Sequence, residues 1–450
     1  MPLSHQTERK SAINRLESVY PLRQLESQSY IDTVKASREG KPTVWSMAVY
    51  WEGDVPLAAM GLNVVYPENY ATVLASSGKT EPFLDSADME GFPNHLCGYA
   101  RTTLGYASQM VKDNSGNIPP GAPHGGMARP DLLVSSGARC DTRFKFFQAL
   151  GGYFDAPQWC LELPMMGTFE GTEPDLEQYQ VKFMVEQLRK YITFLEKLFG
   201  KKMDWAKLEE LTDLTVKIHQ TTWQTAELCK AIPGPRHSLD FWSTLAPALF
   251  TMGDRKVVLK LYQDMLAEVQ ERIRNNIGGI NCPEKYRLIF ADIPPYHSLD
   301  FFDKLAERGW NFVFESYNSH QPEPPDLTGI SDPVEKLARL SRNFFMGGLQ
   351  QSKEAGLANY NVDIYMRAAR EYKADGFFMH HVASCRAMNL HLRTLQDFLQ
   401  NKMDVPTLWV EGDMVDIRVF NPQETLARAE AFEQTMEYYR KVRRDKGAGW

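Results

Sequence analysis

Apolar runs bounded by Gly, Pro or Asp recur near both ends of the chain and predict β-strands, with helical periodicity between them. TVWSMAVYW (43–51) and LNVVYP (62–67) form the first pair, with GDVPLAAMG as a short helix between them. The loop GNIPPGAPHGGMARP is too rich in Gly and Pro for regular structure. DLLVSS then predicts a strand, DTRFKFFQALGG a helix and APQWCLEL a strand, which is a βαβ unit and so part of a parallel sheet. From about Glu173 to Asn276 the period lengthens to that of amphipathic helices, as in LEQYQVKFMVEQLRKYITFLEKLFG, with a break at IPGPRHS. Strand alternation returns in KYRLIFADIPP, WNFVFESY, DGFFMHH and VPTLWVEGD, with the helices LDFFDKLAERG and RAMNLHLRTLQDFLQ among them. The expected fold is α/β, with two Rossmann-like or flavodoxin-like parallel-sheet domains around a helical insert. The boundaries drawn from the pattern are 1–170, 171–280 and 281–450.

The two outer blocks share one plan. In each, an Asp opens an apolar strand (Asp131, Asp375), a short loop holds a cysteine (Cys140, Cys385), and a helix follows. The next strand then carries Pro and, five residues on, Glu: Pro157 and Glu162, Pro406 and Glu411. Both cysteines are thereby placed beyond the carboxyl end of a parallel strand, where open α/β sheets bind ligands. A helix start also stabilises a thiolate. Cys97, in FPNHLCGYARTTLGYA, sits at a third loop-to-helix transition. Three such thiolates from two domains suit a metal site made by the tertiary fold, with an iron-sulfur cluster as the leading candidate. The competing reading is that each is a small buried hydrophobe. Cys160, Cys229 and Cys282 are read as structural.

Composition narrows the function classes. A chain of 450 residues with 43% hydrophobic and 24% charged positions is long enough for two or three domains. A net charge of -7 and no dense Lys/Arg stripe outside Arg440–Arg444 argue against nucleic acid. No apolar run reaches the roughly 20 residues of a membrane span. The polar N-terminus lacks a secretory core, so the expected location is cytoplasmic. Six scattered cysteines without a CxxC pair exclude a disulfide scaffold, a zinc ribbon and bacterial ferredoxin spacing.

Nucleotide motifs fail as well. ASSGKT ends like a phosphate loop, but Val73 stands where its first glycine belongs. No GxGxxG or GxSxG follows a strand. His381, with His380, is a candidate proton donor, and Glu162 and Glu411 are candidate buried acids. Trp45, Tyr50, Trp51, Phe377 and Phe378 could line an apolar site, although core is the plainer reading.

HLCGYAR around Cys97, SSGARCDTRFKFFQALGGYFDAPQWCLELP, HHVASCRAMN and VEGDMVDIRVFNPQETLARAEAFEQ together carry a resemblance. The chain resembles the large subunit of the benzoyl-CoA reductase and 2-hydroxyacyl-CoA dehydratase family over most of its length. The resemblance implies one 4Fe-4S cluster per chain, held by Cys97, Cys140 and Cys385. It also implies a related smaller cluster-binding subunit, ferredoxin as electron donor, and separate activator subunits that hydrolyse ATP, so that no nucleotide binds here. Adding one electron to a CoA thioester needs a potential at or beyond the low end of ordinary clusters, roughly -700 mV, hence the ATP. The expected reaction is dearomatisation of benzoyl-CoA or a related aromatic acyl-CoA to a cyclic diene. Dehydration of a 2-hydroxyacyl-CoA through a ketyl radical is the alternative. An electron-relay subunit without a substrate pocket and a cluster-free α/β binding protein are the readings from other classes.

Overall fold

The computed structural model describes residues 11–47, 51–137, 140–163, 174–315, 323–350 and 360–450. Tyr50 and the side chain of Trp51, two of the expected pocket aromatics, fall outside the described residues. Trp45, Phe377 and Phe378 are core, each at most 1% exposed.

Among the described residues, eight strands make two separate four-stranded sheets, every pairing parallel. The first holds β1 (Thr43–Ser46), β2 (Asn63–Val65), β3 (Leu132–Ser136) and β4 (Gln158–Leu161) in the order β2-β1-β3-β4. The second holds β5 (Tyr286–Ala291), β6 (Trp310–Glu315), β7 (Gly376–Val382) and β8 (Thr407–Gly412) in the order β6-β5-β7-β8. The orders are the same, so the chain contains one doubly wound α/β topology twice. Two elements are shorter than their apolar patterns suggested. β1 stops at Ser46 and a helix is under way by Trp51, and RAMNLHLRTLQDFLQ is divided into Arg386–Asn389 and Leu392–Met403.

The repeated residues of the sequence plan have repeated jobs. Asp131 ties the start of β3 to β1: its N–H donates to the Thr43 carbonyl at 2.7 Å, and its carboxylate accepts from the Thr43 N–H at 2.8 Å. Asp375 does the same to Arg287 of β5, at 2.8 and 2.9 Å. The carbonyls of Pro157 and Pro406 accept from Leu133 and Phe377, both at 3.0 Å. Asp155 and Asp404 end the intervening helices in left-handed conformation.

Both faces of the second sheet are covered, which is why its strands read as nearly unbroken apolar runs. Leu288, Phe290 and Phe378 pack with Phe302, Trp310 and the C-terminal helix Pro422–Asp445. Ile289, Phe377 and Met379 pack with Tyr365, Leu395 and Leu399 on the other side. Residues from helices Pro174–Phe199, Trp205–Leu228 and Pro333–Gln350 share the core of the first sheet.

Helix Gly98–Ser108 is pressed against helix Glu81–Met89, and Gly105 marks the contact: a Cβ there would stand 1.7 Å from the carbonyl oxygen of Phe83. Gly105→Ala is expected to lower stability by about 1–3 kcal/mol, the usual range for overpacking. Gly152→Ala, in a helix with nothing within 4 Å of the added carbon, should instead gain about 0.5–1 kcal/mol from helix propensity. Thermal unfolding of the two variants checks the sign of each change.

Candidate functional site

Cys97, Cys140 and Cys385 are the N-cap residues of three helices, Gly98–Ser108, Asp141–Phe154 and Arg386–Asn389. Cys140 follows β3 and Cys385 follows β7, the third strand of each sheet, where the strand order reverses direction. All three thiols are half-buried and none forms a disulfide. They share one electrostatic environment. Burial pushes the Cys97 thiol well above its ordinary range, and charge on Cys385, Glu68 and Cys140 pushes it further. Burial likewise raises Cys385 to about 12, with charge on Cys140 and Asp292 adding and Arg143 opposing. The N–H groups of Ala100 and Met388 offset part of each rise.

Two of these thiols stay protonated by themselves, and a bound metal would deprotonate them outright. Among the described residues, no three His, Cys, Asp or Glu side chains converge on a point that one metal ion could occupy. A cluster with a separate iron for each thiolate does not require such convergence. Three cysteine thiols at helix starts are the donor type that iron-sulfur clusters take.

Several neighbours escaped the sequence reading. Glu68, the second residue of helix Pro67–Ser76, lies just beyond β2 and is 5% exposed. Its Oε1 accepts from Arg143 Nε at 3.1 Å, while its buried Oε2 has no hydrogen-bond partner. Burial raises this carboxyl above its ordinary value, with Arg143 opposing. Glu68 also lines a cavity of about 120 Å3 whose walls include Tyr99, Trp242, Leu245, Phe250 and Glu26. Beyond β5, Asp292 is fully buried at a φ of +77° and accepts from the Tyr365 hydroxyl at 3.2 Å. Its carboxyl is raised well above the usual range by burial. Across the surface, Arg386 bridges to Asp141 at 2.6 Å, each being the residue after a cysteine.

The other sequence candidates have more local surroundings. Glu162 and Glu411 are exposed rather than buried acids, because β4 and β8 are the edge strands of their sheets; the Glu162 backbone exchanges two 2.7 Å bonds with Gln187, and its carboxylate rests against Gly137 in the loop towards Cys140. His381 is paired in register with Glu411, its ring 6.2 Å from that of Trp409. His380 bonds the Ile293 carbonyl at 2.5 Å and is held neutral by burial, down to about 4. Cys229 and Cys282 contact the Thr225 and Ala306 carbonyls, and Cys160 lies 3.3 Å from Glu162 Oε1. ASSGKT joins two helices, whereas a phosphate loop runs from strand to helix; Thr80 gives its hydroxyl to the Val415 carbonyl at 2.9 Å. No helix among the described residues is long and apolar enough to cross a membrane.

The family model for the 2-hydroxyglutaryl-CoA dehydratase D-component matches residues 56–436, which takes in both sheets beyond β1 and all three cysteines. The chain belongs to this family. Its relatives include the (R)-2-hydroxyisocaproyl-CoA dehydratase alpha subunit of Clostridioides difficile, 26% identical over 93% of this chain and 96% of that one. The lactoyl-CoA dehydratase alpha subunit of Anaerotignum propionicum is 23% identical, over 90% and 93%. A benzoyl-CoA reductase subunit of Thauera aromatica is 24% identical, over 83% and 84%. Membership in a family of acyl-CoA enzymes thus agrees with the resemblance seen in HLCGYAR and HHVASCRAMN. Reduction of benzoyl-CoA has less support than dehydration, since the dehydratase subunits cover more of the chain.

Proposed function

We propose that this chain is the cluster-binding alpha-type subunit of a 2-hydroxyacyl-CoA dehydratase, with Cys97, Cys140 and Cys385 as the ligands of one 4Fe-4S cluster. The observation that carries the reaction class is the match to dehydratase alpha subunits over 90% or more of the chain. A cluster held there would supply the single low-potential electron that activates a CoA thioester. The protein's own residues have the remaining work. Glu68, buried beside Cys97 with one oxygen unbonded, is placed to take a proton from a substrate and to return it to the departing hydroxyl as water. Arg143 orients that carboxylate from the other side. The cavity that Glu68 lines offers apolar walls at Trp242, Leu245 and Phe250 for an acyl chain, with polar groups at Glu26, Asn69 and His124 beside them.

A related smaller subunit, an ATP-hydrolysing activator and ferredoxin complete the proposed system. The relatives' designations as subunits support the first of these. Reduction of an aromatic acyl-CoA is the second reading, favoured by the similarity to the benzoyl-CoA reductase subunit.

Electron balance separates the two. Dehydration is redox-neutral, so the activating electron returns after each turnover, whereas dearomatisation consumes reductant in proportion to product. The test is an anaerobic assay of the reconstituted complex with (R)-2-hydroxyacyl-CoA thioesters and with benzoyl-CoA, following product and reductant together. Enoyl-CoA formed with little reductant spent is the expected result. Diene formed with stoichiometric oxidation of the donor would instead establish the reductase.

A further inference from the structure

Cys97 and Cys385 come from different sheets, yet the residues next to them are bonded to each other. The N–H of Gly98, which follows Cys97, donates to the hydroxyl of Ser384, which precedes Cys385, at 3.0 Å. The Ser384 hydroxyl in turn donates to Asp413 Oδ2 in the loop after β8. Asp413 is itself immobilised. Its Oδ1 accepts from the N–H groups of Val415 at 2.9 Å and Asp416 at 3.0 Å, and its carbonyl is 2.9 Å from His297 Nε2. Ser384 and Asp413 are 7% and 2% exposed, so water does not compete well for these bonds. The fit is close enough that a Cβ on Gly98 would lie 2.6 Å from Asp413 Oδ1 and 2.7 Å from Val415 Cγ2.

Ser384 thus offers its proton to Asp413, with the softer Met414 Sδ at 3.6 Å as a weaker acceptor, and a lone pair to Gly98. The bonds to Gly98 and Asp413 link the two α/β units. A second link reinforces the seam from inside: Arg101, 1% exposed on the Cys97 helix, reaches Asp88 at 2.6 Å and Asp416 at 3.4 Å.

We propose that Ser384 and Asp413 are positioning residues, forming a buried clasp that fixes the separation between the Cys97 and Cys385 thiols across the two sheets. The inference rests on the reading of those thiols as cluster ligands. Neither residue touches the substrate or carries an electron. Their effect is on geometry: with the clasp released, the two helix starts can drift apart, and a cluster bridging them is held in a wider range of shapes.

Two readouts test the clasp apart from turnover. In the cluster-loaded protein, Ser384→Ala is expected to release iron to a chelator roughly two- to ten-fold faster than wild type, the effect of one hydrogen bond lost. The EPR signal of the reduced cluster should broaden, and Ser384→Thr, which keeps the hydroxyl, should restore both properties. In the cluster-free protein, a short bifunctional thiol reagent should link Cys97 to Cys385 less efficiently in Ser384→Ala than in wild type, as read from the linked peptide by mass spectrometry. Gly98→Ala, which retains the hydroxyl but wedges the clasp open, should give the same two changes and serves if Ser384→Ala does not fold. Unchanged chelation and unchanged linking in both variants would overturn the proposal. A wild type that binds no iron would sink the cluster reading instead, and the linking experiment would then decide the clasp alone.

Discussion

Cys385→Ala is expected to remove one cluster's worth of iron and acid-labile sulfide from the protein purified anaerobically with its partner subunit. The proposed ligand set has only three thiolates, each on a different helix start and split between two sheets. Two remaining thiols on one half of the molecule cannot bridge the seam, so loss should be near complete, and the EPR signal after dithionite reduction should disappear with it. Cys282→Ala, whose thiol is bonded to the Ala306 carbonyl at 3.1 Å, should keep its full complement. If Cys385→Ala retains iron and sulfide at the wild-type level, the thiol at this junction is packing and the cluster assignment fails.

The second large effect is expected at Glu68. Glu68→Gln preserves shape and can still accept from Arg143, but it cannot take a proton. Turnover should fall about 10^2- to 10^4-fold, the usual contribution of a positioned acid or base, while iron content and the EPR spectrum stay as in wild type. KM should move little, because the amide still fills the cavity wall. Steady-state kinetics on variant and wild type, with iron measured on the same samples, decide the matter. Undiminished kcat would take Glu68 out of the chemistry and leave it as a structural partner of Arg143.

The fold was legible because its signals are local and repeated. Asp131 and Asp375, Cys140 and Cys385, and Pro157 and Pro406 recur in step, and each pair occupies equivalent backbone positions in the two sheets. What the pattern overstated was length. TVWSMAVYW looks like one strand because apolar residues continue past Ser46, yet the strand ends there and Trp51 already belongs to the helix read at GDVPLAAMG, whose Val55 and Leu57 are buried on the same core. A short apolar run does not tell a strand from a buried helix.

The candidate site was legible in its thiols and opaque in its acids. A cysteine at a helix start stands out in a chain with only six. Glu68 is one of many carboxylates, and only the fold sets it beside Cys97. A signal did exist: VVYPENY places an acid two residues into a helix that follows a parallel strand, the same kind of location that marked Cys140 and Cys385. Ser384 and Asp413 had no such signal, since they are 29 residues apart and meet Gly98 across 286 positions of chain.

The order of these residues along the polypeptide also bears on how the molecule is made. Cys97 and Cys140 leave the ribosome with the first sheet, while Cys385, Ser384 and Asp413 arrive only with the last strands of the second. A nascent chain that has folded its first half therefore offers two thiols without the third and an unbonded Gly98, which make a poor acceptor for iron. On the proposed ligand set, cluster delivery has to wait until translation has passed β8, and a truncated product would accumulate empty rather than half-loaded.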